Sequence, residues 1–279
     1  MMGKFASREC LDGKISNFTG PGPPVNITHP IPPNCAAAGN FCKTTCKSNG
    51  EISMENTVGV IFDFNGTLFN DSEKQERAWR RFAEEEFSRS IADDEFFNYI
   101  HGRNNDFVME YLSKRPLTED QINNLVERKE SIYRQLCIED KFHFHLAGGA
   151  VRLLNELKSR QIPRTIATAS RKSNVDFYIR SFGLEKWFDI NKIVYDDGTV
   201  LGKPNPDFYI RAAKVIALPV QNCIVIEDAL SGIQSAYHAG IGKVVAICPK
   251  SEKAVFERMP EVFDVISNFH EFDRLLLRA

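Results

Sequence analysis

The chain has 279 residues, 43% hydrophobic and 26% charged, with a formal net charge of −2. That profile fits an ordinary globular protein and excludes a strongly basic nucleic-acid surface or a polybasic membrane patch. No apolar run approaches the roughly 20 residues needed to span a bilayer, and the N-terminal MMGKFASRECLDGK lacks the apolar core of a secretion signal, so a cytoplasmic setting is expected.

Residues 1–53 hold six of the thirteen prolines, in PGPPVNITHPIPPN, and no sustained period of 2 or 3.6. They read as a disordered leader, with the functional chain expected to begin near Met54. Four of the seven cysteines lie in this leader. His29, Cys35, Cys42 and Cys46 match no tight zinc signature.

From residue 57 the pattern becomes regular. A continuous apolar strand is expected at 58–62. Residues 71–143 then read as helical throughout, including SEKQERAWRRFAEEEF, DDEFFNYI, DFVMEYLSK and a long amphipathic run over 119–138 with Thr118 as its N-cap. Beyond them helices and strands alternate. AVRLLNELKSR, NVDFYIRSF, PDFYIRAAKVIA and LSGIQSAYHAG read as helices, with a short helix near 252–258 and a last helix at the C-terminus. TIATA, NKIVY, CIVIED, KVVAI and DVIS read as strands. Short apolar strands between helices predict an α/β fold, a Rossmann-like parallel sheet covered on both faces. The expected organisation is a core over 54–70 and 144–279, split after its first strand by an all-α cap over 71–143.

In an open α/β sheet, ligands bind beyond the carboxyl ends of the strands, so the residues at those ends are the candidates for chemistry. The first strand ends in Asp63, within DFNGT. The TIATAS strand ends in Thr168, Ala169 and Ser170, and CIVIED ends in Glu227 and Asp228. Lys203 stands in GKPNPD, just before a helix. Each has a structural alternative: a cap for the next helix, a solvated lysine, or β-propensity alone. Three acids, hydroxyls and one lysine converging on one edge in this order point instead to a site.

These residues resemble the motifs of the haloacid dehalogenase superfamily, in its β-phosphoglucomutase-like branch of phosphatases with a helical cap. DFNGT is similar to that family's first motif, Asp-x-Asp-Gly-Thr. Thr168, Lys203 and the pair Glu227–Asp228 fall at its second, third and fourth. The resemblance implies an aspartyl-phosphate formed on Asp63 and a Mg²⁺ ion held by Asp63, the backbone carbonyl of Asn65, Asp228 and Glu227. It further implies that Lys203 and Thr168 stabilise the phosphoryl group, with Gly66, Thr67, Ala169 and Ser170 around it. In the cap it points to Gln75, Arg103 and Asn105 as substrate contacts. The expected partner is a small phosphorylated metabolite, a sugar phosphate or an acyl phosphate, with no nucleic acid or membrane, and the chain is expected to act as a monomer.

One residue departs from the pattern. Where the family carries a second acid that protonates the leaving oxygen, this chain has Asn65. An amide donates and accepts hydrogen bonds but delivers no net proton, which removes roughly 10²- to 10⁴-fold of acid/base assistance. The open readings are a hydrolase of phosphates that need little protonation, one that draws its acid/base from elsewhere, another chemistry of the superfamily (phosphonate or carbon–halogen hydrolysis), and a non-catalytic binder of phosphorylated ligands. A gain in Asn65→Asp alone, confined to poor leaving groups such as sugar phosphates, would show that the missing proton is the defect.

Overall fold

A computed structural model describes residues 57–100, 105–199 and 201–278. The expected leader, its cysteines and Arg103 lie outside the described residues. Six strands form one sheet: β1 (Gly59–Phe62), β2 (Arg164–Arg171), β3 (Val194–Asp196), β4 (Cys223–Glu227), β5 (Lys243–Ile247) and β6 (Asp264–Ile266). Their order is β3-β2-β1-β4-β5-β6, and every pairing is parallel. β1 is therefore central. The chain winds outward through β2 and β3, then returns to place β4 on the other side of β1. The reversal leaves a crevice at the carboxyl ends of β1 and β4, where such sheets bind ligands.

The period of 2 in β1 explains the layers. Val60 and Phe62 join one buried cluster with Leu153, Leu154, Val175 and Tyr178, from helices α5 (Ala150–Ser159) and α6 (Lys172–Phe182). Ile61 points the other way, into a cluster with Phe208, Ala212, Ile233 and Ala236, from α7 (Asp207–Val215) and α8 (Leu230–His238). Both faces are covered, which is why β1, β4 and β5 are apolar along nearly their whole length.

Between β1 and α5 come four helices: α1 (Ser72–Phe87), α2 (Asp93–Tyr99), α3 (Asn105–Ser113) and α4 (Glu119–Glu139). They carry an apolar cluster of their own, including Trp79, Phe82, Ile100, Val108 and Val126, against which Phe87 packs. α4 begins with a capping box. Thr118 accepts from the Gln121 backbone and the Gln121 side chain accepts from the Thr118 backbone, so two orphan donors of the first turn are satisfied. Among the described residues no helix is long and apolar enough to cross a membrane.

Three expectations need correction. The last helix is only a 3₁₀ turn over Arg274–Leu277. The Asp273 carboxylate accepts from the Leu275 backbone at 2.8 Å, and the Arg274 guanidinium is drawn onto the Phe269 and Phe272 carbonyls. The NKIVY strand starts later than expected, because the Asp189 side chain accepts from Asn191 and opens a 3₁₀ turn over Ile190–Lys192. The TIATA strand runs longer than expected: β2 continues past Ala169 to pair Arg171 with Asp196 of β3. A short helix, α9 (Lys253–Phe256), follows β5 as expected.

Candidate active site

Asp63 follows β1, and its backbone N–H donates to the Ile226 carbonyl of β4 at 3.0 Å. This ties the first acid to the strand that delivers Glu227 and Asp228. The Lys203 ammonium lies between, donating at 2.6 Å to Asp63 Oδ1 and at 2.6 Å to Glu227 Oε1. The Tyr209 hydroxyl also donates to Glu227 Oε1 (3.1 Å), and the Ala229 backbone to Glu227 Oε2 (2.8 Å). Both Glu227 oxygens are thus taken by protein donors, so this buried acid serves to hold the lysine. Thr67 donates to Asp228 Oδ1 at 3.2 Å.

Two glycines make this packing possible. A Cβ on Gly66, where φ is +76°, would stand 1.9 Å from Asp228 Oδ2, and one on Gly232 would stand 1.7 Å from Glu227 Oε1. Only glycine fits, sterically at both positions and conformationally at the first.

Burial dominates the electrostatics. It raises the Asp63 pKa to about 7, against the opposing pull of Lys203 and with a further push from Glu227. Asp228 is likewise held well above the carboxylate range, by burial first and then by the charges of Glu227 and Asp63. Burial also opposes the charge on Lys203, but the two acids outweigh it and hold that pKa well above the ordinary lysine value. Fully ionised, three carboxylates and one ammonium would leave an excess of negative charge in a buried site, and the raised Asp63 and Asp228 pKa values reflect it.

That excess is the test for a cation. Asp63, Glu227 and Asp228 offer oxygen atoms that all lie within 4.8 Å of one another. An all-oxygen, acid-rich set suits a hard divalent ion such as Mg²⁺, which is commonly bound through one or two carboxylates. With Glu227 occupied by protein donors, Asp63 and Asp228 are the carboxylates placed to hold it.

Asn65 is half-buried, and both ends of its amide are engaged. Its Nδ2 lies 2.7 Å from Asp71 Oδ2, 2.9 Å from the Tyr178 hydroxyl and 3.3 Å from the Tyr133 hydroxyl. Its Oδ1 accepts from Ser170 Oγ at 2.7 Å and lies 3.4 Å from Thr168 Oγ1. Phe64 stacks on the Tyr178 ring at 4.3 Å, which fixes that hydroxyl. Asp71 is 1% exposed and stands at the N-cap position of α1, yet its side chain caps nothing there. Instead Asp71 Oδ1 accepts from the Gly66 backbone at 2.8 Å, and Oδ2 accepts from Asn65, Tyr133 and Gln75. Burial raises the Asp71 pKa above the usual value, with the hydrogen bonds from Tyr133 and Asn65 working against it.

The remaining sequence candidates divide. Thr168 is buried, and its hydroxyl also accepts from the Ser170 backbone at 3.2 Å; Ala169 is exposed. Gln75 is engaged at both ends of its amide, by Asp71 at 3.4 Å and by Lys129 at 3.2 Å, and joins α1 to α4. Asn105 is the first residue of α3 and is half-buried. A cavity of about 1720 Å³ opens over the sheet edge, with Gly66, Lys203 and Asp228 on one side and Lys74, Arg80 and His143 on the other. Arg80 is bound to Glu76 at 2.7 Å and Asp93 at 2.9 Å, and Lys74 to Asp140 at 3.0 Å. Asp71, Tyr133, Tyr178 and Tyr209 were not legible as site residues, because an acid before a helix reads as a cap and the tyrosines read as apolar helix faces.

A buried acid after the central strand, a lysine bridge and a second acid pair thus meet at the switch point of a doubly wound sheet. The haloacid dehalogenase-like hydrolase family matches residues 58–240, and the chain belongs to that family. A solved structure of a family IA, variant 3 hydrolase from Entamoeba histolytica HM-1:IMSS is 33% identical, with a TM-score of 0.74, covering 79% of this chain and 97% of that one. The phosphorylated carbohydrates phosphatase of Thermotoga maritima is 26% identical over 191 residues, 67% of this chain and 84% of that protein. The chloroplastic 5-amino-6-(5-phospho-D-ribitylamino)uracil phosphatase of Arabidopsis thaliana is 27% identical over 200 residues, 69% of this chain. The match spans only half of that relative's length.

Proposed function

We propose that the protein removes or transfers phosphate from a small phosphorylated metabolite through an aspartyl-phosphate on Asp63. The observation that carries this reading is the Lys203 ammonium, 2.6 Å from both Asp63 and Glu227 at the crevice between β1 and β4. Lys203 holds Asp63 Oδ1, leaving Oδ2 to attack. As the new O–P bond forms, the bond to the leaving oxygen breaks. Water then attacks phosphorus, freeing Asp63 and releasing inorganic phosphate. Lys203 and the Thr168 hydroxyl stabilise charge on the phosphoryl oxygens. Asp63, Asp228 and the Asn65 backbone carbonyl would hold a Mg²⁺ ion, which would supply positive charge against the repulsion between a carboxylate and a phosphate.

Two features narrow the substrate. Asn65 supplies no proton, which favours leaving groups that need little protonation, such as acyl phosphates, over sugar phosphates. The insert's described cations at the cavity, Lys74 and Arg80, are already ion-paired, which favours one phosphoryl group over two. The relatives named for phosphorylated carbohydrates and for a ribityl phosphate keep small polyhydroxylated monophosphates in the panel. The test is phosphate release with Mg²⁺ from acetyl phosphate, p-nitrophenyl phosphate and a sugar-phosphate set. Release from acetyl phosphate, lost in Asp63→Asn, is expected. Asn65 is also the observation that favours a second reading, a phospho-ligand binder without turnover. Saturable binding with no release from any compound would establish that one.

A further inference from the structure

The carboxylate missing from position 65 is present at position 71. The Asp71 oxygens accept from the Asn65 amide, the Gly66 backbone and the Tyr133 hydroxyl, and Asp71 itself is almost wholly buried. A carboxylate is acceptor-only, whereas an amide has one accepting and one donating end. With Asp71 in place, the donating end of Asn65 has to face it. The accepting end then faces Ser170 at 2.7 Å and Thr168 at 3.4 Å, on the strand end that carries the phosphoryl-binding hydroxyls. We infer that Asn65 and Asp71 act as one unit. Asp71 is a positioning residue that orients the Asn65 amide, and through Asn65 Oδ1 holds the Ser170 and Thr168 hydroxyls in place at the strand end beside the phosphoryl site.

The pair exchanges donor and acceptor as a lock does. An Asp at 65 would set a second acceptor-only group 2.7 Å from Asp71 Oδ2, leaving that contact without a donor and bringing two like charges together in a largely buried site. Asn65→Asp alone therefore fails to restore the family's acid. The reciprocal exchange, Asn65→Asp with Asp71→Asn, keeps one donor and one acceptor at the contact. Asp71 holds this place without capping α1, so its carboxylate serves the loop rather than the helix.

This inference rests on the phosphatase reading for its catalytic half only. The test is a cycle of parent, Asn65→Asp, Asp71→Asn and the double exchange, with Asn65→Asp/Asp71→Ser as a second route should the first exchange pack poorly. Tm is read for each, together with kcat and KM on acetyl phosphate and on glucitol 6-phosphate with Mg²⁺. Asn65→Asp alone is expected to lower Tm by roughly 5–15 °C and to gain nothing on glucitol 6-phosphate. Either double exchange recovers most of that loss. It also raises kcat on glucitol 6-phosphate by on the order of 10²- to 10⁴-fold, with acetyl phosphate changed less than about tenfold. A purely structural role would move Tm without this leaving-group dependence. Additive Tm changes, or a stable Asn65→Asp with the full gain by itself, overturn the pairing. So does the failure of both exchanges to recover Tm. Coupled Tm values with no phosphate release by any variant support the pairing and refute the phosphatase reading instead.

Discussion

Lys203 is the residue on which the site's charge balance turns, and Lys203→Met isolates it. The Met side chain fills much of the space of the lysine stem, so a cavity contributes little to the effect. What disappears is the cation 2.6 Å from each of two carboxylates whose side chains are 8% and 1% exposed. Removing one partner from a buried charge cluster costs about 3–5 kcal/mol, a large share of a typical total of roughly 5–15 kcal/mol. At about 2–4 °C per kcal/mol for a domain of this size, Tm in chelator falls by roughly 6–20 °C. Turnover loses the preorganised charge on the phosphoryl oxygens, on the order of 10²- to 10³-fold. Mg²⁺ restores part of the lost Tm, because it places positive charge beside Asp63, but little of the lost rate. Differential scanning fluorimetry with and without Mg²⁺, together with phosphate release, reads all three. A Tm within about 2 °C of the parent in chelator, or full turnover, would refute the role given to Lys203.

Two further outcomes follow from the same geometry. Mg²⁺ alone raises the parent's Tm; at 100 times its dissociation constant the stabilisation is about 2.7 kcal/mol, or roughly 5–10 °C. Asp228→Asn removes most of that rise, and an unchanged Mg²⁺ shift in this variant would exclude Asp228 as a ligand. At the return from the helical insert, the hydrogen bond from Lys74 holds the Asp140 carboxyl down to about 2, below its ordinary 3.8. A lowered carboxylate stabilises the fold above its unfolded pKa and loses that contribution as pH falls through the folded one. The Tm difference between the parent and Asp140→Asn should therefore be full above about pH 4 and vanish toward pH 2. A difference independent of pH in that window would show that the bridge contributes nothing.

The legible parts of the sequence were those set by local pattern. α1 falls on SEKQERAWRRFAEEEF, because its apolar residues repeat at helical spacing. α4 begins at Thr118 because the capping box lies within four residues. Asp63 and Asp228 could be placed because position at a strand end follows from the order of strands and helices, and Lys203 because GKPNPD stands just before a helix. The parts that stayed hidden depend on contacts far apart in the chain. β2 outruns Ala169 because β3 pairs with it at Arg171. Asp71 takes Tyr133, 62 residues away, as a partner, while its place before a helix signals a cap it does not form. The Asn65 substitution was visible as a loss; its counterpart at Asp71 became visible only when the two side chains were seen to face each other.

The central claim is that Asp63 forms the covalent intermediate. Acid quench during turnover of acetyl phosphate with Mg²⁺, followed by peptide mapping of residues 57–77, tests it most directly. The account predicts a phosphorylated Asp63 in the parent, absent from Asp63→Asn. Steady phosphate release with an unmodified Asp63, or modification at another residue, would contradict it.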